Sequence, residues 1–359
     1  MIRKMGVNQF HFYVFSDPSL KRKIILGACD LVEADRKGGS DATDSSLLRN
    51  TIGLFHELDV YASDFEPLFI AESARYFSSW ADYEAAGYIA SFAENSHRLI
   101  EREVDRCEFY SLNRSTKQKL SELLDQVLVI GKQDTLLDEA DVVGLLRSGN
   151  ETGLERLYSL LERGNMGSRL KTAFGRYIVE EGSAIIFDEE HESEMVARLL
   201  EFKQRLDTAW ATAFHRNEEL GHTLREAFET FINKGKKSQA SWGTDNPKTG
   251  EMIAKYVDNL LKGGWKALPG RKPESSAAAG GGDEDAEINR ELDRVLDLFR
   301  FVHGKAVFEA FYKNDLARRL LMGRSASDDA EKSMLSRLRI GMHSLPLSLS
   351  LSLSISFGF

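Results

Sequence analysis

The stretch MVARLLEFKQRLDTAWATAF, residues 195–214, carries apolar side chains at Met195, Leu199, Phe202, Leu206, Ala209 and Ala213. The steps alternate between four and three, which lines the residues along one face of a 3.6-residue helix; Trp210 and Phe214 widen the stripe. The same rule holds outward in both directions. Leu120, Leu123, Leu124, Val127 and Leu128 fall on one face, and Leu292, Val295, Leu296 and Phe299 repeat the pattern. None of the six prolines lies between Pro67 and Pro247, and so long a stretch rich in Leu, Glu, Arg and Ala favours helix after helix. Breaks are expected where Gly, Asn or Asp interrupt the pattern: IGKQD (130–134), RGNMGS (163–168) and EEGSA (180–184). No strand pattern precedes residue 345. The fold class is all-α.

The chain has 359 residues, more than one hydrophobic core usually serves, so two or three packing units are expected. An apolar fraction of 42% beside 29% charged residues fits a folded chain. A formal net charge of −9 argues against a broad nucleic-acid footprint. No uninterrupted apolar run is long enough to span a membrane. The N-terminal MIRKMGVNQFHFYVF is basic and then apolar, but Asn8, Gln9 and His11 interrupt it and no small-residue cleavage site follows, so a signal peptide is not expected. Two cysteines, Cys29 and Cys107, make no disulfide framework and suit reduced intracellular thiols. On that reading the triplets at Asn113 and Asn150 match the glycosylation pattern by chance. The segments 233–250 and 269–287, rich in Gly, Ser, Pro and charge, lack the apolar side chains that would offset ordering, and disordered surface loops are expected at 235–250 and 269–287.

Candidate chemistry is thin. His215 and His222, seven apart with Glu218 and Glu219 between them, would share a helical face, but the spacing lacks the i, i+4 histidine pair that helical metal sites favour. FDEEHESE (187–194) gathers carboxylates around His191 just before the long stripe, where acidic groups complement a helix N-terminus. NKGKKS (233–238) suggests a phosphate loop until Thr230 is found where the motif needs glycine. GRSAS (323–327) has serines without a histidine partner nearby, and its expected role is to start a helix with Ser327 as N-cap and Ala330 and Glu331 in the first turn. No residue is assigned to catalysis, to a cofactor or to a metal, and the chain is not expected to be an enzyme.

FRFVHGKAVFEAFYKNDLARRLLMGRSASDDAEKSMLSRLR (299–339) resembles the cullin family, most closely the cullin-four type. FETFINK (228–234), IAKYVDNLLK (253–262), SLLRNTIGLFHELDVYASDFEPLFIAES (46–73) and RLLEFKQRLDTAW (198–210) carry the likeness upstream, over roughly residues 20–339. The resemblance implies an elongated stalk of cullin repeats, each a five-helix bundle, followed by the start of a four-helix bundle of the C-terminal homology domain. Residues 1–40 would end a first repeat, 41–155 form the second, 156–287 the third, and 288–340 open the C-terminal part. Cullins are non-catalytic scaffolds of cullin–RING ubiquitin ligases in ubiquitin-dependent protein catabolism. Their first repeat grips a substrate adaptor, a triple β-propeller damaged-DNA-binding protein for the cullin-four type. The C-terminal half binds the RING subunit and carries a lysine that accepts a ubiquitin-like modifier. A cullin-associated inhibitor is a further implied partner; direct nucleic acid or membrane contact is not.

Placed on that plan, the adaptor-gripping helices and the RING contact are expected to be missing, and no position matches the modifier lysine. Phe299, Val302, Phe308, Phe311, Leu316 and Leu320 should then lack partners, leaving residues 300–340 loosely docked. Beyond Arg339 cullins usually continue with one variable residue and Glu-Cys-Gly, whereas this chain runs Ile340-Gly341-Met342-His343 into a Leu–Ser alternation. Translated CT repeats give that alternation, and a Gly-Met pair can be encoded across a splice-donor sequence. Residues 341–359 are therefore read as a non-native tail. An alternative function is a stand-alone helical-repeat interaction module that assembles no ligase. Nucleus and cytoplasm are the expected locations.

Overall fold

A computed structural model describes residues 2–38, 45–235, 247–263 and 284–341. Of the expected loops, 236–246 and 269–283 lie outside these residues, as does the tail beyond Gly341; 247–250 and 284–287, expected as loop, instead open helices, Pro247 at the start of one and Glu284 of the other. Among the described residues every regular element is helical. In chain order they are α1 (Ile2–Phe10), α2 (Pro18–Arg36), α3 (Ser45–Glu57), α4 (Glu66–Glu84), α5 (Ile89–Phe109), α6 (Arg114–Leu124), α7 (Gln133–Leu136), α8 (Glu139–Ser148) and α9 (Glu151–Arg163). There follow α10 (Lys171–Ile186), α11 (Met195–Thr212), α12 (Glu218–Asn233), α13 (Pro247–Gly263), α14 (Glu284–Phe299), α15 (Lys305–Met322) and α16 (Asp328–Gly341). The all-α expectation holds.

Local chemistry explains the ends. Pro18, Pro67 and Pro247 each open a helix, where a missing N–H costs nothing. Asp17 accepts from the N–H groups of Ser19 and Leu20, Asn150 from Gly153 and Asn217 from Leu220. Gly149 and Gly323 close α8 and α15 in the left-handed conformation.

The chain divides into two compact units: Met1–Ala173 with Thr212–His215, and Phe174–Ala211 with Arg216–Phe359. In the first, α2 lies on α3 and α4, and α5 on α9. Phe55, Phe65 and Phe69 form its aromatic spine, with ring centroids 5.2 and 5.4 Å apart. In the second, α13 packs on α14 and α15, and α14 on α16. Phe202, Phe228 and Phe231 fill its middle, and Phe301 reaches Phe228 at 5.4 Å. Each fully buried ring of this kind contributes about 1.5–3 kcal/mol.

Two further expectations are corrected. No break occurs at 180–184: α10 runs through Gly182. A Cβ there would stand 2.5 Å from the Phe231 ring, so glycine admits a close neighbour instead of ending the helix. Nor are all six apolar residues of 299–320 left without partners. Phe299, Val302, Phe308 and Leu316 are buried, while Phe311 and Leu320 remain exposed. The reason is that α13 and α14 already supply a surface: Phe299 meets Phe308 at 4.4 Å, and α15 lies along α13.

Candidate functional site

Helices stack through apolar stripes, so a charged residue on such a stripe must either be neutralised or open the structure. Three stripes here carry one. Ile25, Cys29, Val32 and Arg36 share a face of α2; Phe92, Ser96, Leu99 and Glu103 share one of α5; Phe308, Tyr312, Leu316 and Arg319 share one of α15. In the first unit Arg36 meets Glu103 at 2.8 Å, donates to Ser73 and lies over the Phe77 ring at 4.7 Å. Arg106 bridges Glu103 and Asp35. In the second unit Arg319, with 0% exposure, donates to Asp258 on α13 at 2.6 Å and to both oxygens of Glu331 on α16 at 2.7 and 3.0 Å. Burial opposes the Arg319 charge, but the bonds and charge of Glu331, with Asp258, outweigh it and raise its pKa. These groups face one another and serve packing. They were missed as a set because each looks like a surface charge until its stripe is traced.

The sequence candidates fare as follows. His215 and His222 do not share a helical face. α11 ends at Thr212, and His215 and Arg216 are left-handed, with φ of 48° and 57°, before Asn217 caps α12. His215 lies 3.0 Å from Glu162 and His222 3.2 Å from Arg225. In FDEEHESE the organiser is Asp188. It accepts from the N–H groups of Glu190 and His191 and from Arg198, and the Arg198 bond holds its pKa down at about 2. The carboxylates of Glu192 and Glu194 sit on a short 3-10 turn before α11 instead of in its first turn.

Asn233 of the NKGKKS run ends α12, with its amide on the Phe301 carbonyl and its oxygen on the His303 N–H; Lys236, Lys237 and Ser238 lie outside the described residues. Ser327 caps α16, taking the Ala330 N–H at 3.2 Å, as the sequence indicates. Cys29 and Cys107 are buried free thiols, pushed by burial to about 12 and about 11. Asn150 uses its side chain as a helix cap. Among the described residues no group of His, Cys, Asp or Glu could hold a metal, and no helix is long and apolar enough to cross a membrane.

The first unit also exposes a few large apolar groups. α1 leads into a π-helical turn, His11–Phe15, which buries Phe15 and turns Phe12 and Tyr13 out, 66% and 70% exposed, their rings edge to face at 5.0 Å. Met5 and Leu20 are exposed on the flanking helices, beside exposed Arg22 and Lys23. Nearby α1 and α3 border an open cleft of about 440 Å³ lined by Val7, Arg49, Asn50, His56, Glu57 and Ser111. Clustered exposed aromatics of this kind mark binding surfaces for other proteins.

Packed helices joined by buried ion pairs, with no strand among the described residues, define an all-helical protein. The chain belongs to the cullin family: the family model described as the cullin alpha solenoid domain matches residues 1–344. It is 35% identical to Cullin-4A of Homo sapiens over 337 residues, covering 93% of this chain and 41% of that protein. Against Cullin-4A of Mus musculus the identity is 35% over 341 residues, with the same two coverages. Against Cullin-4 of Dictyostelium discoideum it is 31% over 340 residues, covering 93% and 38%. The cullin-four type is the branch these matches support. The chain spans about two fifths of the length of these relatives.

Proposed function

We propose that the chain acts as a non-catalytic scaffold segment of a cullin–RING ubiquitin ligase in ubiquitin-dependent protein catabolism, in the nucleus and cytoplasm. The observation that carries this reading is the exposed corner of Met5, Phe12, Tyr13 and Leu20 on a chain matched to the cullin solenoid from its first residue. In cullins the first repeat grips the adaptor, and residues 1–40 correspond to its end. The corner lies outside the helices expected to grip the adaptor, and in this reading it is a secondary contact that the chain offers to a triple β-propeller adaptor. A scaffold contributes effective concentration and geometry: it holds a substrate near a charged conjugating enzyme and needs no reactive side chain. A cullin-associated inhibitor is a further partner of this reading; the RING subunit belongs to the whole ligase, and no residue of this chain is assigned to its contact.

The test is binding of the purified chain to the recombinant adaptor by calorimetry. Binding is expected, with a loss of tenfold or more for the Phe12→Ser/Tyr13→Ser double variant, since interface aromatics are typically worth about 2 kcal/mol or more. No binding by a chain of normal helical circular dichroism would overturn the adaptor role and favour a stand-alone interaction module.

A further inference from the structure

The turn between α15 and α16 connects a hydroxyl to the buried arginine. Gly323 ends α15 at φ +59°, and the N–H of Arg324 returns to the Arg319 carbonyl at 3.0 Å. Ala326 donates its N–H to the Leu261 carbonyl of α13 at 2.8 Å. Between them the Ser325 hydroxyl donates to Glu331 Oε1 at 2.9 Å, the same oxygen that accepts from Arg319 Nε. Asp258, on the other side of the guanidinium, also holds Lys262. Asp315 stands close enough that burial, then the Asp258 charge, raise its pKa. Arg319, Arg318 and Lys262 thus serve the three carboxylates, and the Ser325 hydroxyl is a further donor to Glu331, whose one cation among the described residues is Arg319.

We propose that Ser325 is a phosphorylation site for a serine kinase that selects an acidic residue three places downstream, and that phosphorylation releases α16 from α13 and α15. Asp328 stands at that third place and Asp329 follows it. The turn is reachable: Gly323, Arg324 and Ala326 are exposed, and Leu321 before them is 88% exposed. Ser325 lies outside both helices, so seating it in a kinase needs only the Glu331 and Leu261 bonds to open. In the reaction a bond forms between Ser325 Oγ and the γ-phosphorus of ATP. The bond from that phosphorus to the ADP oxygen breaks, and the hydroxyl proton passes to the base of the kinase. The product has lost its donor and gained up to two negative charges beside Glu331, so Glu331 is driven from Arg319. Ser327, two residues on, behaves oppositely. Its oxygen already accepts at the N-terminus of α16, where added negative charge tightens the helix.

The inference is independent of adaptor binding. Its test treats the full chain with an acidophilic serine kinase and magnesium-ATP, maps the phosphate by peptide fragmentation, and follows amide exchange across α16. The expected result is phosphate on Ser325 and exchange over residues 328–341 faster by about tenfold. Ser325→Ala should take no phosphate at that position, and Ser325→Glu should show the faster exchange without kinase. Absence of phosphate from Ser325, phosphate on Ser327 alone, or phosphorylated Ser325 with unchanged exchange would each overturn the proposal.

Discussion

Gly182 and Gly144 show how one residue type answers to its surroundings. Both stand inside helices, where glycine is weaker than alanine by about 0.5–1 kcal/mol. Gly144 has open space where a Cβ would go, so Gly144→Ala should raise stability by about that amount. At Gly182 the Phe231 ring fills the space, and Gly182→Ala should cost about 1–3 kcal/mol by overpacking. Urea unfolding of the two variants checks the pair, and equal shifts of the same sign would refute the account. This is also where sequence reading runs out. A glycine before a run of small residues signals a break by composition; only the neighbour, 49 positions further on in sequence, shows that it is a contact. The charged members of the stripes were hidden in the same way. Arg319 occupies an apolar register position that can be traced from Phe308, but its partners Asp258 and Glu331 lie on other helices.

At the scale of elements the sequence was far more legible. Apolar periodicity depends on local spacing, and the stripe of 195–213 became α11 with Met195, Leu199, Phe202, Leu206 and Ala209 buried. Ser327 was legible as a cap because capping needs only a side chain and the next three residues. The turn at His215 and Arg216 was not, because neither position carries the glycine that usually announces a left-handed residue, and Arg216 has no preference for it. The docking of α15 is not legible locally for another reason: its neighbours come from α13, which the residues of α15 do not announce. Amides from Phe308 to Arg319 should therefore exchange slowly in the isolated chain, protected by about a hundredfold or more over an unfolded peptide. Fast exchange there, measured by mass spectrometry, would restore the picture of a loose segment. Leu321 and Met322, at the exposed end of the same helix, mark where that protection should fade.

At the scale of the whole molecule, each unit has, among the described residues, an arginine whose side chain is buried and joins helices distant in sequence. Arg36 joins α2 to Glu103 on α5, and Arg319 joins α15 to α13 and α16. Apolar burial is non-directional and would allow helices to slide; a fork-shaped guanidinium fixes their register. Removing Arg319 leaves Glu331 buried beside no cation, whereas Glu103 keeps Arg106 when Arg36 is lost. Arg319→Met should destabilise the second unit by about 3–5 kcal/mol, and Arg36→Met should cost the first unit less than that. Exchange measured unit by unit would show it, and a loss confined to the wrong unit, or none, would count against the role given to these residues.

The Arg319 cluster also constrains how such a chain can vary over descent. Asp258, Arg319 and Glu331 are separated by 61 and 12 positions, yet Arg319 cannot change alone without leaving Glu331 buried beside no cation, whereas Asp258 keeps Lys262. Arg319 and Glu331 should therefore behave as a single inherited character, and two cullins that differ at one of these two positions should differ at the other.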